Sequence, residues 1–143
     1  MVEGRWLPPG KDIEPALALR REIFHLEKDE TDALAWQALA LMEGKPVGTG
    51  RIWWQDGAFH IGMIGVLEAY RCLGFGDFLT RLLLYKAQTH GASLVLLRTT
   101  PETAPFFERY GFSPCGKAEQ DGALPYALKG SEIALDTCRG CRR

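Results

Sequence analysis

A basic, glycine-punctuated loop joins an apolar strand to an amphipathic helix in residues 66–77, VLEAYRCLGFGD. The loop contains Arg71, Gly74 and Gly76, and the helical periodicity begins directly after them. A helix N-terminus carries unpaired N–H groups and partial positive charge, so backbone wrapped around a diphosphate satisfies donors and dipole together. The glycines permit the tight curvature and close approach that such binding needs. The spacing therefore predicts an anion-binding site.

Two familiar phosphate loops are excluded by the residues that follow Gly76. A P-loop needs Lys and then Ser or Thr, and a dinucleotide fingerprint needs a third glycine, whereas the chain continues DFL. Residues 71–76, RCLGFG, instead fit R-x-x-G-x-G/A after a strand ending at Leu67. This segment resembles the acyl-CoA pyrophosphate loop of the GCN5-related N-acetyltransferase (GNAT) superfamily.

A second segment, residues 104–112 (APFFERYGF), resembles the A-x-x-F-Y-x-x-x-G-F segment of the same superfamily. Between the two lies the short apolar run 92–98, typical of a buried strand. Thr100 is expected to cap the next helix and Pro101 to occupy its first position. Gly111 is expected to end that helix in a left-handed conformation.

Further segments are similar to the small bacterial ElaA-like acetyltransferases: LRREIF at 19–24 with Glu27 and Asp32 behind it, VGTGR at 47–51 and DGALPY at 121–126. The chain also departs from the patterns. Phe107 stands at the Tyr position of F-Y, and Tyr126 stands where the ElaA-like D-G-I-P-H segment has His. The usual tyrosine acid of the superfamily is therefore absent at its expected position.

Periodicity and turn residues predict one domain over residues 1–143, with residues 131–143 as a mobile tail. The predicted strands are 2–7, 35–42, 47–54, 59–67, 92–98, one near Phe112 and 123–128, with helices at 13–26, from Phe75 and from Pro101. This is an α+β fold, a mixed and mostly antiparallel sheet flanked by helices. The resemblance implies the GNAT version of it, with six to seven strands.

Charge is nearly balanced, with 17 basic and 18 acidic residues and a formal net charge of −1. That balance predicts neither a nucleic-acid partner nor an anionic membrane surface. No apolar run approaches the ~20 residues of a membrane span, and no signal-peptide core is evident, so a cytoplasmic protein is expected. The single C-x-x-C of Cys138 and Cys141 supplies two of the four ligands of a structural zinc, and no metal is expected.

The resemblance implies an enzyme that transfers an acetyl group from acetyl-CoA to a small primary amine, by direct attack in a ternary complex. A backbone N–H of Val66 or Leu67 would polarise the thioester carbonyl. A homodimer is common among similar proteins. The residues expected to bind the co-substrate are Ile64, Gly65, Val66, Leu67, Arg71, Cys72, Leu73, Gly74, Phe75, Gly76, Asp77, Thr100, Phe106 and Phe107.

For proton transfer, Tyr126 is the candidate acid, with Tyr110 and solvent as alternatives. Glu27 is the candidate base, with Glu68 and His60 as competing bases. The acidic segment 27–32 predicts a cationic or polar acceptor. The tryptophans at 36, 53 and 54 would wall a small acceptor pocket, belong to the sheet core or form a dimer face. Two other functions stay open: a non-catalytic acyl-CoA sensor, and a protein N-acetyltransferase.

Overall fold

The computed structural model describes residues 1–135 of the chain. Within them the elements are β1 (Val2–Leu7), α1 (Glu14–Phe24), β2 (Trp36–Met42), β3 (Lys45–Gln55), β4 (Ala58–Val66), α2 (Phe75–Thr89), β5 (Leu94–Thr99), α3 (Ala104–Glu108), β6 (Ser113–Pro114) and β7 (Leu124–Lys129). Short 3₁₀ turns lie at Glu30–Ala33, Glu68–Tyr70 and Gly130–Glu132. None of the described helices is both long and apolar enough to cross a membrane.

All seven described strands form one sheet in the order β1-β2-β3-β4-β5-β7-β6. Every neighbouring pair is antiparallel except β4 and β5, which run parallel. These two strands pair only at Phe59 with Val95 and at His60 with Leu96. Beyond that point they separate, so the second half of β4 has an open edge. The predicted mixed, mostly antiparallel sheet is confirmed.

An irregularity in β4 accompanies the separation. The register with β3 shifts between Thr49 and Arg51, and Met63 has a positive φ of 52°. One extra residue in β4 therefore makes a β-bulge, which bends the strand and raises its twist. The bulge lies along the stretch where β4 has left β5.

Helices cover both faces of the sheet, and the sequence of β2 reflects this. Ala38 and Ala40 are buried in the cluster that includes α2, whereas Leu39 and Leu41 are buried with residues of α1. Successive side chains of a strand point to opposite faces, so a strand covered on both sides carries apolar side chains on both faces, with the buried Gln37 as the polar exception in β2. The run WQALALM accordingly lacks the polar alternation of a half-exposed strand.

A buried cluster of charged side chains attaches α1 to the sheet. Arg20, which is 1% exposed, donates from Nη1 and Nη2 to the carboxylate of Asp32 at 2.6 and 2.9 Å and from Nη2 to Gln37 at 3.2 Å. Arg51 of β3 donates to the same carboxylate at 3.0 Å. One carboxylate thus joins the helix, the loop after it and two strands.

The electrostatics of Asp32 follow from this enclosure. Burial raises the pKa of its carboxyl, but the hydrogen bond from Arg20, the backbone N–H of Asp29 and the two guanidinium charges together hold that pKa well below its ordinary value. The carboxylate is therefore ionised at neutral pH.

Two local expectations are corrected. Helix α3 begins at Ala104 and not at Pro101, and its N-cap is Thr103 and not Thr100. The carbonyl of Thr100 accepts from the N–H groups of Thr103 and Ala104 at 3.1 and 2.8 Å, so residues 101–103 form a turn. Of the two prolines nearby, Pro105 is the one that occupies the first turn of α3, where a missing N–H costs nothing.

The start of the segment predicted as a mobile tail packs against α2. Ile133 is buried, and its carbonyl accepts from Nε2 of Gln88 at 3.2 Å. The carbonyl of Leu135 accepts from Arg81 at 3.1 Å. Residues 136–143, with the predicted pair Cys138 and Cys141, lie outside the described part of the chain.

We expect Asp32→Asn to lower the free energy of unfolding by about 3 to 5 kcal/mol, because it leaves two buried guanidinium groups without their shared counter-charge. Urea denaturation at neutral pH measures the loss. Glu14→Gln, which removes a partner of the half-exposed Arg21, is the control and should change stability little.

The carboxyl group of Asp32 also makes the free energy of unfolding depend on pH. Its folded pKa lies below the ordinary 3.8, so its contribution is complete above pH 3.8 and is lost as the pH falls from there toward the folded pKa. The Asp32→Asn protein should lack this part of the acid dependence. Equal acid dependence in both proteins would contradict the assignment.

Candidate functional site

The predicted glycine loop borders a cavity of about 530 Å³, which we call the loop cavity. It is lined by Val66, Tyr70, Arg71, Cys72, Gly74, Phe75, Gly76, Asp77, Phe106 and Arg109. Gly74 is the N-cap of α2, with a φ of 91° that suits glycine. The first bond of the helix runs from the N–H of Phe78 to Gly74 at 3.0 Å, which leaves the N–H groups of 75–77 without a partner in the helix.

Two arginines from different parts of the chain line the same cavity. Arg71 donates from Nε to the carbonyl of Val66 at 3.0 Å and so ties the loop to the end of β4. Arg109, just beyond α3, places its guanidinium 5.0 Å from the ring centre of Phe106. Helix dipole, free donors and two guanidinium groups together make this cavity suited to an anion.

The one carboxylate among the residues lining the loop cavity is engaged by neighbours. Asp77 accepts from Nε of Arg81 at 3.1 Å and from the hydroxyl of Tyr110. Burial, and then the bond to Asp77, raise the pKa of Tyr110, so this hydroxyl keeps its proton. This bond fastens the turn after α3 to the first turn of α2.

The backbone N–H of Val66 faces the open edge of β4. The N–H of Leu67 donates to the carbonyl of Val47 at 2.8 Å, and Val66 pairs with Gly48 in the same register. Paired residues alternate between bonded and non-bonded in antiparallel strands, so Val66 directs its N–H and carbonyl away from β3. The bond from Arg71 to the Val66 carbonyl agrees with that direction.

A second cavity of about 210 Å³, the strand cavity, lies where β4 and β5 separate. It is lined by Phe24, Ile61, Gly62, Met63, Ile64, Leu97, Arg98, Thr99, Thr100, Thr103 and Phe107. Ile64 lines this cavity and Val66 the loop cavity, about 7 Å apart along one strand. Phe106 and Phe107 likewise line one cavity each. The two cavities are therefore neighbours along the open edge.

The residues predicted to bind the co-substrate divide between the two cavities. Those at the loop cavity are Val66, Arg71, Cys72, Gly74, Phe75, Gly76, Asp77 and Phe106, and those at the strand cavity are Ile64, Thr100 and Phe107. Leu67 uses its N–H within the sheet, and Leu73 points outward with 64% exposure. Neither of these two lines a cavity.

Gly65 also lies away from both linings, and its role is in packing. A β-carbon added there would come within 2.8 Å of the Phe24 ring and 2.9 Å of Ile23. The absence of a side chain therefore lets the end of α1 lie directly on β4. Phe24 reaches the strand cavity because of this close approach.

The structure brings neither predicted catalytic side chain to a cavity lining. Glu27 is 71% exposed and pairs with Nε of Arg21 at 2.8 Å. Tyr126, 5% exposed, donates its hydroxyl to Glu108 at 2.7 Å, and that bond raises its pKa, with a smaller contribution from burial. This arrangement ties β7 to α3.

The other sequence candidates have partners elsewhere. The ring of His60 stacks on Trp53 with centroids 5.3 Å apart, and its Nε2 lies 3.2 Å from the carbonyl of Gln55. Trp36 holds the ammonium of Lys86 at 3.8 Å from its ring centre. None of the three predicted tryptophans lines either of the two cavities described in residues 1–135.

Three of the four acidic residues of segment 27–32 bind arginines, and the fourth, Glu30, is exposed. Besides Glu27, Asp29 binds Arg51 at 2.7 Å, and Asp32 is enclosed by Arg20 and Arg51. The described residues contain no group of three or more His, Cys, Asp or Glu side chains that would hold a metal ion.

Sequence reasoning missed Tyr70 and Arg109 at the loop cavity. Tyr70 directly precedes the recognised loop. Arg109 lies three residues after Phe106, and residues three apart share a helix face. Their proximity in sequence to predicted residues could have indicated both positions. That the two side chains line the same cavity depends on the docking of α3 beside α2.

A split mixed sheet with an anion-binding helix N-terminus at the end of its central strand is the architecture of the acyl-CoA N-acyltransferases. The chain belongs to the Acetyltransferase (GNAT) family, whose profile matches residues 4–112. The predicted family is thereby confirmed, and with it an acyl-CoA-dependent acyltransferase. No curated protein sequence matches the chain significantly.

Solved structures agree on the fold. ElaA of Escherichia coli superposes with a TM-score of 0.79 at 22% identity, covering 90% of this chain and 100% of ElaA. A GNAT family acetyltransferase of Elizabethkingia anophelis with acetyl-CoA bound gives 0.75 at 15% identity, covering 90% and 97%. The ribosomal-protein-S18-alanine N-acetyltransferase of Escherichia coli gives 0.74 at 16% identity, covering 90% and 94%.

We expect Gly65→Ala to destabilise the fold by about 1 to 3 kcal/mol through overpacking against α1, without weakening CoA binding by the folded protein. Thermal unfolding and calorimetric titration with CoA measure the two effects. The matched control is Gly62→Ala in the same strand, where the added carbon meets Trp53 at an ordinary 3.8 Å. Lost CoA affinity with unchanged stability would make Gly65 a binding residue instead.

Proposed function

We propose that this protein is an acetyl-CoA-dependent N-acetyltransferase that acetylates a small primary amine in a ternary complex. The observation that carries the proposal is the unpaired N–H of Val66 at the open edge of β4. Val66 lines the loop cavity, which is suited to a diphosphate, and Ile64, two residues before it in the same strand, lines the strand cavity. Family membership supports the acyl-CoA half of the reaction.

In this proposal the loop cavity binds the CoA diphosphate. The backbone N–H groups of residues 75–77 donate to the phosphate oxygens, and Arg71 and Arg109 supply positive charge from either side. The ring of Phe106 offers an apolar wall. Cys72 contributes through its backbone, since it takes a left-handed φ of 65°.

The proposed acetyl transfer uses a backbone N–H group and solvent, and it needs no catalytic side chain. The neutral amine nitrogen attacks the thioester carbonyl carbon, a C–N bond forms, and the carbonyl oxygen becomes an oxyanion that the N–H of Val66 stabilises. Collapse of the intermediate breaks the C–S bond. The thiolate takes a proton from water, and the protonated nitrogen gives one to water, so the proton count balances. The engagement of Tyr126 with Glu108 and of Glu27 with Arg21 favours solvent in these steps.

One observation favours a second function, a non-catalytic acyl-CoA sensor. Phe107 occupies the position of the usual tyrosine acid and lines the strand cavity with a ring that has no proton to give. The two functions differ in thiol release. A sensor would bind acetyl-CoA and release no CoA with any amine.

We expect Gly76→Val to weaken CoA binding at least about tenfold, because its γ-carbons would enter the loop cavity beyond the 3.6 Å contact that a β-carbon makes with Phe106. Gly76→Ala should have a smaller effect. Calorimetric titration with CoA gives the affinities. Cys72→Ala is the control in the same loop and should bind normally. An unchanged CoA affinity of the Gly76→Val protein would contradict the binding of the diphosphate in the loop cavity.

We expect Val66→Pro to lower kcat by about 10² to 10³-fold, the usual effect of losing one oxyanion donor. Proline removes the N–H, which makes no bond to β3. Val66→Ala keeps the N–H and is the matched control. Steady-state rates, with circular dichroism to verify folding, give the comparison. Equal kcat in a folded Val66→Pro protein would exclude this donor.

A further inference from the structure

The two outer strands of the described sheet are β1 and β6, and their free edges differ. Strand β6 consists of two residues, one of which is Pro114, and a short edge that carries proline resists pairing with another chain. Strand β1 is six residues long, contains no proline and pairs with β2 without a register shift. Its outer edge therefore presents a regular row of N–H and carbonyl groups.

The direction of each backbone group in β1 follows from one hydrogen bond at the start of the strand. The N–H of Glu43 donates to the carbonyl of Met1 at 3.0 Å, so Met1 belongs to a bonded pair. Because bonded and non-bonded pairs alternate in antiparallel strands, Glu3 and Arg5 also bond to β2. The N–H and carbonyl groups that point to the open edge are those of Val2, Gly4 and Trp6.

The sequence of β1 is complementary to itself in antiparallel orientation. The run VEGRW has an apolar residue at each end and opposite charges on either side of a central glycine. When two copies pair about Gly4, Gly4 faces Gly4 and Val2 faces Trp6, and each of these pairs exchanges both backbone bonds. Glu3 of each copy then lies opposite Arg5 of the other, in non-bonded pairs with Cα atoms about 4.5 Å apart. Opposite charges at such positions stabilise a strand pair.

This register satisfies the backbone and the charges together. Moving the centre by one residue would place Glu3 or Arg5 there, and their N–H groups are bonded to β2. Moving it by two residues would centre the pair on Val2 or Trp6, and neither charge would then face its counterpart. The charges therefore select the centre that the backbone directions also allow.

The surface beside this centre is apolar on the face covered by α2. A β-carbon at Gly4 would lie 3.0 Å from the ring of Phe78 and 3.1 Å from Leu82, so both side chains extend over the edge strand. Both are partly exposed, and Val2 is 48% exposed. A second copy paired at β1 would cover these groups with the same groups of its own.

We propose that two copies of this chain associate through β1, in an antiparallel strand pair centred on Gly4 that joins their sheets into one. Gly4 pairs with Ala40, Ala40 with Gly48, and Gly48 with Val66. At the usual strand spacing, the two Val66 residues of the dimer are on the order of 30 Å apart. Each copy therefore keeps its own loop cavity, and its CoA affinity does not depend on the contact.

Charge reversal tests the register. Glu3→Arg and Arg5→Glu each place like charges opposite one another, so each should raise the dimer dissociation constant at least about tenfold. An equimolar mixture of the two variants should form a heterodimer with the wild-type affinity, because every non-bonded pair then joins opposite charges. The double variant E3R/R5E should also dimerise as the wild type does. Sedimentation equilibrium gives the constants, and circular dichroism verifies folding.

Proline tests the backbone pairing. Val2→Pro removes an N–H that points to the open edge and makes no bond to β2, so the fold should be kept and the dimer weakened at least about tenfold. Val2→Ala keeps the N–H and is the matched control, with a smaller expected effect. Calorimetric titration with CoA should give the same affinity for all these variants, which separates the contact from the proposed acetyl transfer.

Three outcomes would overturn the proposal. A wild-type protein that stays monomeric up to about 0.1 mM would exclude a second copy and leave the edge to an extended segment of another protein. A wild-type dimer that both charge reversals leave intact would place the contact on another surface. Failure of the mixed variants to associate, with each of them folded, would exclude the pairing of Glu3 with Arg5.

Discussion

The parallel contact between β4 and β5 covers two residue pairs, and the site depends on its brevity. Phe59 and His60 hold the strands together at one end, and the bulge at Met63 bends β4 where the pairing has ended. The N–H and carbonyl groups of a strand inside a sheet are normally hydrogen-bonded to the strands on both sides. Here the separation leaves the edge at Val66 without one. The same separation makes room for the strand cavity, so one topological feature creates a donor and a space beside it.

Keeping such an edge open requires that both faces of the sheet be fixed by other contacts. On one face, α2 packs its apolar stripe against β2, β3 and β4. On the other, Arg20 binds Asp32 and Gln37 beneath α1, and Gly65 lets the end of that helix touch the strand. Buried ion pairs contribute modestly to net stability, but breaking one is costly. Their effect here is positional, because they hold α1 on the sheet, and Phe24 at the end of that helix lines the strand cavity.

The anion-binding loop was predictable because its determinants are contiguous. Arg71, Gly74 and Gly76 stand directly before a helical stripe, and each acts on its immediate neighbours through backbone conformation and the helix dipole. The strand order along the chain and the apolar β2 also followed from local pattern. The motifs at 71–76 and 104–112 were sufficient to identify the family, whose profile match later confirmed it.

Tertiary structure decided which donors and charges remain available. Whether Val66 or Leu67 offers its N–H depends on strand register, since a shift of one residue reverses the direction of every N–H group. Glu27 and Tyr126 have the right chemistry in sequence, yet Arg21 and Glu108 bind them in the fold. Arg109 reaches the loop cavity through the docking of α3. The sequence determines the chemistry of each side chain and the local path of the backbone. Which donors and charges stay available for a ligand depends on neighbours that only long-range packing brings together.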